Sequence, residues 1–533
     1  MQNPERKVRF IIFDTLKRNW RFAAMGAMAL VIGQVIALLI PKFTGMIIDG
    51  IKQAEALVEN RNEDVVTQWA RDLLAIPQGA HFSDYIPTLL WAFGIAALIS
   101  GVFQFIKRRV ITGISRLVEF DLRRVLFSHL QRLPMGFYSE MRSGDVISRA
   151  TSDVEATRMM TGPAVMYIGE ASVLLPLALY AMATISTTLM LWALLPLGLL
   201  TTSVLYFSPR QRKHSLALQE RQGDLAARAQ ENFSGVRVVK AFTREEFESR
   251  EFNSLSSMVL ESALGLALNR SLFQASIWTL NGAGLLVFLY FGAKEIAAQA
   301  LSLGQFMEFT LYFGMLYWPM IALGWVILLI VRGRVSAKRI NELLARDPDP
   351  AVASEGLSAE GISGTISFNK VAFAYNEGSP VVQDVSFTLP AGKTLAIVGP
   401  VGCGKTTIAR LLLRLNEPSA GEITIDGKPI REYATDSLRA QIGFVPQETF
   451  LFSTSIADNI AFGQEREERE ASQHAAAVAQ IRNEIEELPK GFDTMLGERG
   501  VNLSGGQKQR TAIARALVNK PKIVVLDDSL SAV

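Results

Sequence analysis

The sequence predicts two domains of different class: an all-α transmembrane domain of six spanning helices, then an α/β domain built on a phosphate-binding loop. Three observations predict this. Residues 21 to 331 carry long apolar runs, whereas residues 360 to 533 have the composition of a soluble domain. Six of those runs reach the roughly 20 largely apolar residues that a spanning helix needs. The stretch Gly399-Pro400-Val401-Gly402-Cys403-Gly404-Lys405-Thr406 has the spacing G-x-x-x-x-G-K-S/T. Before it, Lys393 to Val398 reads as a buried strand; after it, Thr407 to Leu413 reads as a helix. A chain of 533 residues is also too long for one core.

The membrane domain is expected over residues 1–331, with spans near 22–40, 86–106, 164–185, 189–207, 272–293 and 305–331. Residues 332–360 read as a linker and 361–533 as the second domain. An even number of spans puts both termini on one side. The N-terminus is basic, as are the segments after spans two (Lys107, Arg108, Arg109, Arg116) and four (Arg210, Arg212, Lys213). The loop from Asp49 to Asp84 is mostly acidic. By the positive-inside rule both termini face the cytoplasm. The first apolar run spans rather than serving as a cleaved signal.

About sixty residues separate spans two and three, and again four and five. Leu117 to Leu133 and Gln211 to Gln230 keep helical periodicity there. The spanning helices are therefore expected to continue into the cytoplasm and to turn near Phe137 to Gly144 and near Ser234 to Glu245. Independent amphipathic surface helices are the alternative. Polar residues inside the spans are functional suspects: Glu170, Glu308, Gln34, Gln104 and Asn281. Span six is rich in aromatic and Met side chains, from Phe309 to Trp325. Two readings are open for it, a loose apolar cavity or interfacial belts and plain packing. The net charge of +3 argues against a nucleic-acid partner, and the single cysteine excludes an internal disulfide.

The second domain holds three sites of chemical interest. Glycines of the loop let backbone N–H groups wrap a polyphosphate, and the following helix N-terminus adds partial positive charge. Lys405 reaches β/γ-phosphates and the Thr406 hydroxyl suits Mg²⁺. Leu503-Ser504-Gly505-Gly506-Gln507 opens a helix and forms a second anion-binding nest. The apolar strand Ile523 to Leu526 ends in Asp527, placed to hold Mg²⁺, and Asp528, placed to activate water. Tyr375 is either a core tyrosine or a platform for a purine base.

In this order, the glycine loop, the LSGGQ stretch and the Asp-terminated strand resemble the nucleotide-binding domain of an ATP-binding cassette (ABC) transporter. The six spans with long extensions resemble the half-transporters of its exporter subclass, most of all the multidrug-resistance-like Mdl type, A subunit. The resemblance implies ATP bound by Tyr375 and by Gly399, Pro400, Val401, Gly402, Cys403, Gly404, Lys405, Thr406 and Thr407. It implies Mg²⁺ at Thr406, Gln447 and Asp527, and catalysis by Asp528, Gln447 and Lys405. Ser504, Gly505, Gly506 and Gln507 would complete a partner subunit's ATP site. Phe137-Tyr138 with Gly144 to Arg149, and Gly235 to Phe242, resemble the two coupling regions, and Thr494 to Gly500 the segment that touches a partner's loops. The implied setting is the bacterial inner membrane.

Two departures matter. Position 528 is Asp where a fully active member has Glu, one methylene and roughly 1.5 Å longer. A shift of that size costs on the order of 10²-fold in rate. A homodimer would carry Asp at both sites, so a heterodimer is expected, with a half-transporter partner that bears the Glu. The sequence also ends at Val533, inside the D-loop of the resemblance. The domain is therefore expected to be incomplete at its C-terminus, without the family's H-loop histidine.

The expected function is ATP-driven export of hydrophobic or amphipathic compounds by one half of such a heterodimer. A lipid or peptide flippase and a catalytically silent ATP-binding subunit are the alternatives. No set of Lys or Arg is read within the spans, which favours neutral or cationic amphiphiles. Cys403, beside Lys405 at a helix N-terminus, is expected to be a reactive thiol.

Overall fold

The computed structural model describes residues 7–55, 82–349, 351, 356–375, 380–464, 468–497, 500 and 502–528. Most of the acidic 49–84 loop, residues 498–499 of the 494–500 segment and the chain end from 529 lie outside them. The chain divides into two compact units, residues 1–126 with 147–345, and residues 127–146 with 346–533.

The first unit is helical. Among the described residues, six segments are long and apolar enough to cross a bilayer: Trp20–Ile51, Ile86–Leu130, Ser143–Ile185, Thr187–Ser234, Glu245–Ala297 and Leu303–Leu344, of which residues 127–130 and 143–146 fall in the second unit. In chain order the helices are α1 (Val8–Arg18), α2 (Trp20–Ala37), α3 (Leu39–Glu55) and α4 (Phe82–Leu130). The short α5 (Met135–Glu140) belongs to the second unit, and the helical run Ser143–Ile185 that follows is termed α6. Then come α7 (Thr187–Ser234), α8 (Val236–Ala241), α9 (Glu245–Ala297) and α10 (Leu303–Leu344).

Helix α9 has 53 residues, about 80 Å at 1.5 Å per residue, against a hydrocarbon core of about 30 Å. The extensions are thus continuous with the spans, as their charged-face periodicity predicted. Helix α10 runs on through residues 332–344, part of the stretch read as linker. The break between α2 and α3 falls just before Pro41, which has no N–H to continue the ladder. There the Tyr312 hydroxyl of α10 donates to the Leu38 carbonyl at 2.9 Å.

Three of the polar residues of the spans, Glu308, Glu170 and Gln104, are paired with lysines. Lys42 donates to Glu308 at 3.3 Å, and these side chains are 1% and 3% exposed. Lys107 donates to both Glu170 and Gln104. Charge buried this deeply survives only when paired. Both lysines sit just past the predicted span ends, so their positions read as flanking charge. In the structure they are buried and face the glutamates of other helices. The expectation that no set of Lys or Arg lies within the spans is corrected accordingly, since Lys42 and Lys107 belong to helices long and apolar enough to cross. Beside the Lys42 pair, α3 lies hard against α10: a Cβ on Gly304 would meet the Gly45 carbonyl at 2.1 Å. Asp49 completes this contact by accepting from the Gly304 N–H at 2.8 Å and from the Ser302 hydroxyl.

Span six combines its two readings. Phe309, Tyr312, Phe313 and Leu316 are buried in packing with Phe288 of α9. Met315, Trp318 and Pro319 instead line a cavity.

In the second unit, β1 (Ile366–Phe373) pairs antiparallel with β2 (Val382–Leu389) and with β3 (Ala420–Ile425). A two-residue β4 (Lys428–Pro429) closes this sheet in the order β2-β1-β3-β4. A second sheet pairs β5 (Ile442–Val445) parallel with β6 (Ile523–Leu526). Both strands carry the apolar runs that parallel pairing uses, though Val524 and Leu526 of β6 stay exposed. Helix α11 (Lys405–Leu412) buries Leu411 and Leu412 with Phe368, Ile423 and Ile425. A separate cluster packs Leu451, Ile456 and Ile485 against Ala514 of α12 (Gly505–Leu517).

One predicted strand does not form. Residues 393–400 are irregular, with Leu395, Ile397 and Val398 exposed. An apolar run becomes a strand only through a ladder of neighbours. Among the described residues, β5 and β6 pair with each other alone.

Candidate nucleotide-binding site

The glycine loop ends at the N-terminus of α11 in the predicted way. Gly402 and Gly404 take φ values of 84° and 96°, the left-handed region open to glycine. Gly404 also lies where a Cβ would meet the Val381 carbonyl at 3.0 Å. The Lys405 ammonium donates to the carbonyls of Gly399 at 2.8 Å and Pro400 at 2.9 Å. Lysine and loop thus enclose each other, and both are within reach of solvent. Phosphate oxygens bound here would take the ammonium from those carbonyls.

Strand β6 brings the acid side. Asp527 is carried to α11, where Thr406 Oγ1 donates to its Oδ1 at 3.0 Å. A hydroxyl and a carboxylate in contact are hard oxygen donors. Among the described residues, no cluster of three or more His, Cys, Asp or Glu could hold a metal by itself. This donor set fits Mg²⁺, which is usually held by one or two carboxylates together with substrate phosphates and water.

Asp528 follows at φ 49°, and its Oδ2 accepts from Gln447 Nε2 at 3.2 Å. The structure therefore brings Lys405, Thr406, Asp527, Asp528 and Gln447 onto one edge of the second unit. Tyr375 is exposed rather than in the core. Its hydroxyl lies 3.1 Å from Thr407 Oγ1, and its ring packs edge-on to Phe373. Cys403 is exposed with Sγ 3.9 Å from the Lys405 ammonium. A maleimide should therefore block nucleotide binding, ATP should protect, and Cys403→Ser should remove the inhibition. Inhibition that persists in Cys403→Ser would exclude the reactive thiol.

Ser504, Gly505, Gly506 and Gln507 form the first turn of α12. A capping box fixes it: Gln507 N–H donates to Ser504 Oγ at 3.2 Å, and Ser504 N–H to Gln507 Oε1 at 2.9 Å. The backbone N–H groups of that turn point outward from an exposed helix start, as an anion nest requires.

Four supporting residues escaped the motif reading. Glu484 accepts from Gln507 Nε2 at 3.0 Å and from Arg510 at 2.5 Å, and so orients the signature turn. Gln509, nearly fully buried, reaches the Asp528 carbonyl at 3.5 Å. Arg515 donates to the Asn459 and Phe450 carbonyls at 2.7 and 2.8 Å and lies over the rings of Phe452 and Phe462. Burial pushes its guanidinium down to about 10, still charged at neutral pH. The signal for Gln509, Arg510 and Arg515 was their place on α12, two, three and eight residues past Gln507. For Glu484 there was none.

Comparison with known proteins agrees with this geometry. Residues 24–320 match the family described as ABC transporter transmembrane region, and residues 382–531 the family described as ABC transporter. The chain is 36% identical over 450 residues to the Bacillus subtilis "Probable multidrug resistance ABC transporter ATP-binding/permease protein YheI", covering 84% of this chain and 77% of that protein. It is 31% identical over 520 residues to the Escherichia coli "Multidrug resistance-like ATP-binding protein MdlA", covering 97% and 83%. A solved structure of a bacterial Atm1-family ABC exporter with ATP bound superimposes with a TM-score of 0.72 at 24% identity, covering 96% of this chain and 87% of that one. The chain therefore belongs to the ABC transporter family, as an exporter whose six-span membrane region and ATP-binding domain form one polypeptide.

Proposed function

We propose that this chain is one half of a heterodimeric exporter of multidrug type, which moves hydrophobic or amphipathic compounds across the bacterial inner membrane with ATP. The observation that carries the reading is the assembly of Lys405, Thr406, Asp527 and Asp528 at the end of α11 and β6. In this reading Tyr375 stacks on the base, and the 399–407 loop holds the phosphates. Thr406 and Asp527, with Gln447, hold Mg²⁺, which supplies neutralisation of charge on the phosphate oxygens. Asp528 orients the attacking water. Both termini lie on the cytoplasmic side, where ATP is found.

Asp528 supports the heterodimer. Its short carboxylate leaves this chain's own site weak, and Ser504 to Gln507 complete a better site on the partner. Exposed Val238 and Phe242, on and just after α8, suit burial by a second subunit. ATP-dependent accumulation of an amphipathic dye in inverted vesicles holding both halves tests export; Lys405→Ala should abolish it. Steady-state hydrolysis by the chain purified alone tests the pairing, and robust turnover without a partner would defeat it. The silent-subunit reading predicts that export stops when the partner's glutamate is removed.

A further inference from the structure

Inside the first unit, between α2, α4, α6 and α10, lies a cavity of about 520 Å³. That is the size of a site for a drug-like molecule. Met166, Leu174, Met315 and Trp318 give it an apolar wall. Gln34, Gln104, Lys107, Glu170 and Arg108 give it a polar one. Lys107 and Gln34 are 3% and 6% exposed. Polar groups held this deep in a spanning domain, facing open space, are what a ligand site has and a packing core lacks.

Charge selects the ligand. Glu170 already holds the Lys107 ammonium, so it is not a bare anion waiting for a cation. The remaining charge on the wall is Arg108, which makes the cavity positive. Arg108 also lines a shallower hollow of about 300 Å³ with Arg109 and Arg116. Phe105, Arg109, Thr112 and Arg116 of this hollow follow one stripe of α4, at spacings of four, three and four, with Arg108 beside it. Arg116 is paired with Glu119 at 2.7 Å. Among the described residues, no ion pair joins Arg108 or Arg109.

We propose that this cavity binds an amphiphile with an anionic head group, a carboxylate or phosphate. Its head is held at Arg108 beside Lys107, and its apolar body lies among Met166, Leu174, Met315 and Trp318. The site gives a substrate class to the export reading above and rests on it for transport, but binding is measured separately.

The test uses two probes with one apolar body, pyrenebutyrate and pyrenebutyl-trimethylammonium, on the chain in phosphatidylcholine nanodiscs without ATP. Energy transfer from tryptophan reports occupancy. The anion should bind about tenfold tighter than the cation, the worth of one charged hydrogen bond. Arg108→Ala should erase that preference. Glu170→Gln, which releases the Lys107 ammonium, should tighten anion binding, an effect that mere loss of structure cannot give. Equal or tighter binding of the cation, or weaker anion binding in Glu170→Gln, would overturn the proposal. Displacement of pyrenebutyrate by phosphatidylglycerol in the disc marks a lipid as the natural ligand, and no displacement a free amphiphile; the anionic head stands in both. Intact binding with no ATP-driven export defeats the export reading alone, and export with no such binding defeats this site alone.

Discussion

Asp528→Glu is expected to raise ATP hydrolysis by the purified chain about 100-fold. On the proposed reading Asp528 stands where a base belongs: it lies two residues past β6, next to Asp527, and Gln447 donates to its carboxylate at 3.2 Å. On that reading its shortcoming is reach. The backbone is fixed on both sides, since the Asp527 N–H donates to the Val445 carbonyl at 3.0 Å and Gln509 holds the Asp528 carbonyl at 3.5 Å. With the backbone pinned, one methylene decides whether the carboxylate reaches the water. On the same reading Asp528→Asn should change the wild-type rate far less, because a weak site has little base catalysis to lose. Phosphate release in nanodiscs measures both. A rate in Asp528→Glu within twofold of wild type would mean that a backbone shift already restores the geometry.

Lys42→Met is expected to destabilise the membrane domain by on the order of 3 kcal/mol. The substitution keeps the apolar stem and removes the ammonium that faces Glu308 at 3.3 Å in a site almost closed to solvent. The remaining carboxylate cannot move away, because the close approach of Gly45 and Gly304 and the Asp49 contacts lock α3 onto α10. The double variant Lys42→Met/Glu308→Met should recover most of the loss, since an apolar pair of similar volume replaces a buried ion pair at little cost. Thermal unfolding in nanodiscs reads both. A single variant as stable as wild type would show that the pair contributes nothing to holding these helices together.

The nucleotide site was legible because its chemistry is local. A phosphate loop needs its glycines and lysine at fixed offsets, and the capping box of Ser504 and Gln507 spans one turn. The membrane helices were legible because a bilayer demands length and apolarity, and their extensions because charged faces keep helical periodicity. What the sequence hid was pairing at a distance. Lys42 and Glu308 are 266 residues apart, and Lys107 and Glu170 are 63 apart. A lysine at the end of an apolar run looks the same whether it snorkels to water or turns inward. The strand at 393–398 failed for the same reason, since only ladder partners elsewhere in the chain turn an apolar run into a strand. Glu484 carries no motif and was found only through what it holds.

The most direct test of this account is the identity of nucleotide retained by the chain. Purified protein in nanodiscs is incubated with radiolabelled ATP and Mg²⁺, freed of unbound nucleotide, and the bound label is separated. The account predicts that the retained nucleotide is ATP, that Lys405→Ala retains none, and that Asp528→Glu retains ADP in its place. Stoichiometric conversion to ADP by the wild-type chain alone, or retention unaffected by Lys405→Ala, would contradict it.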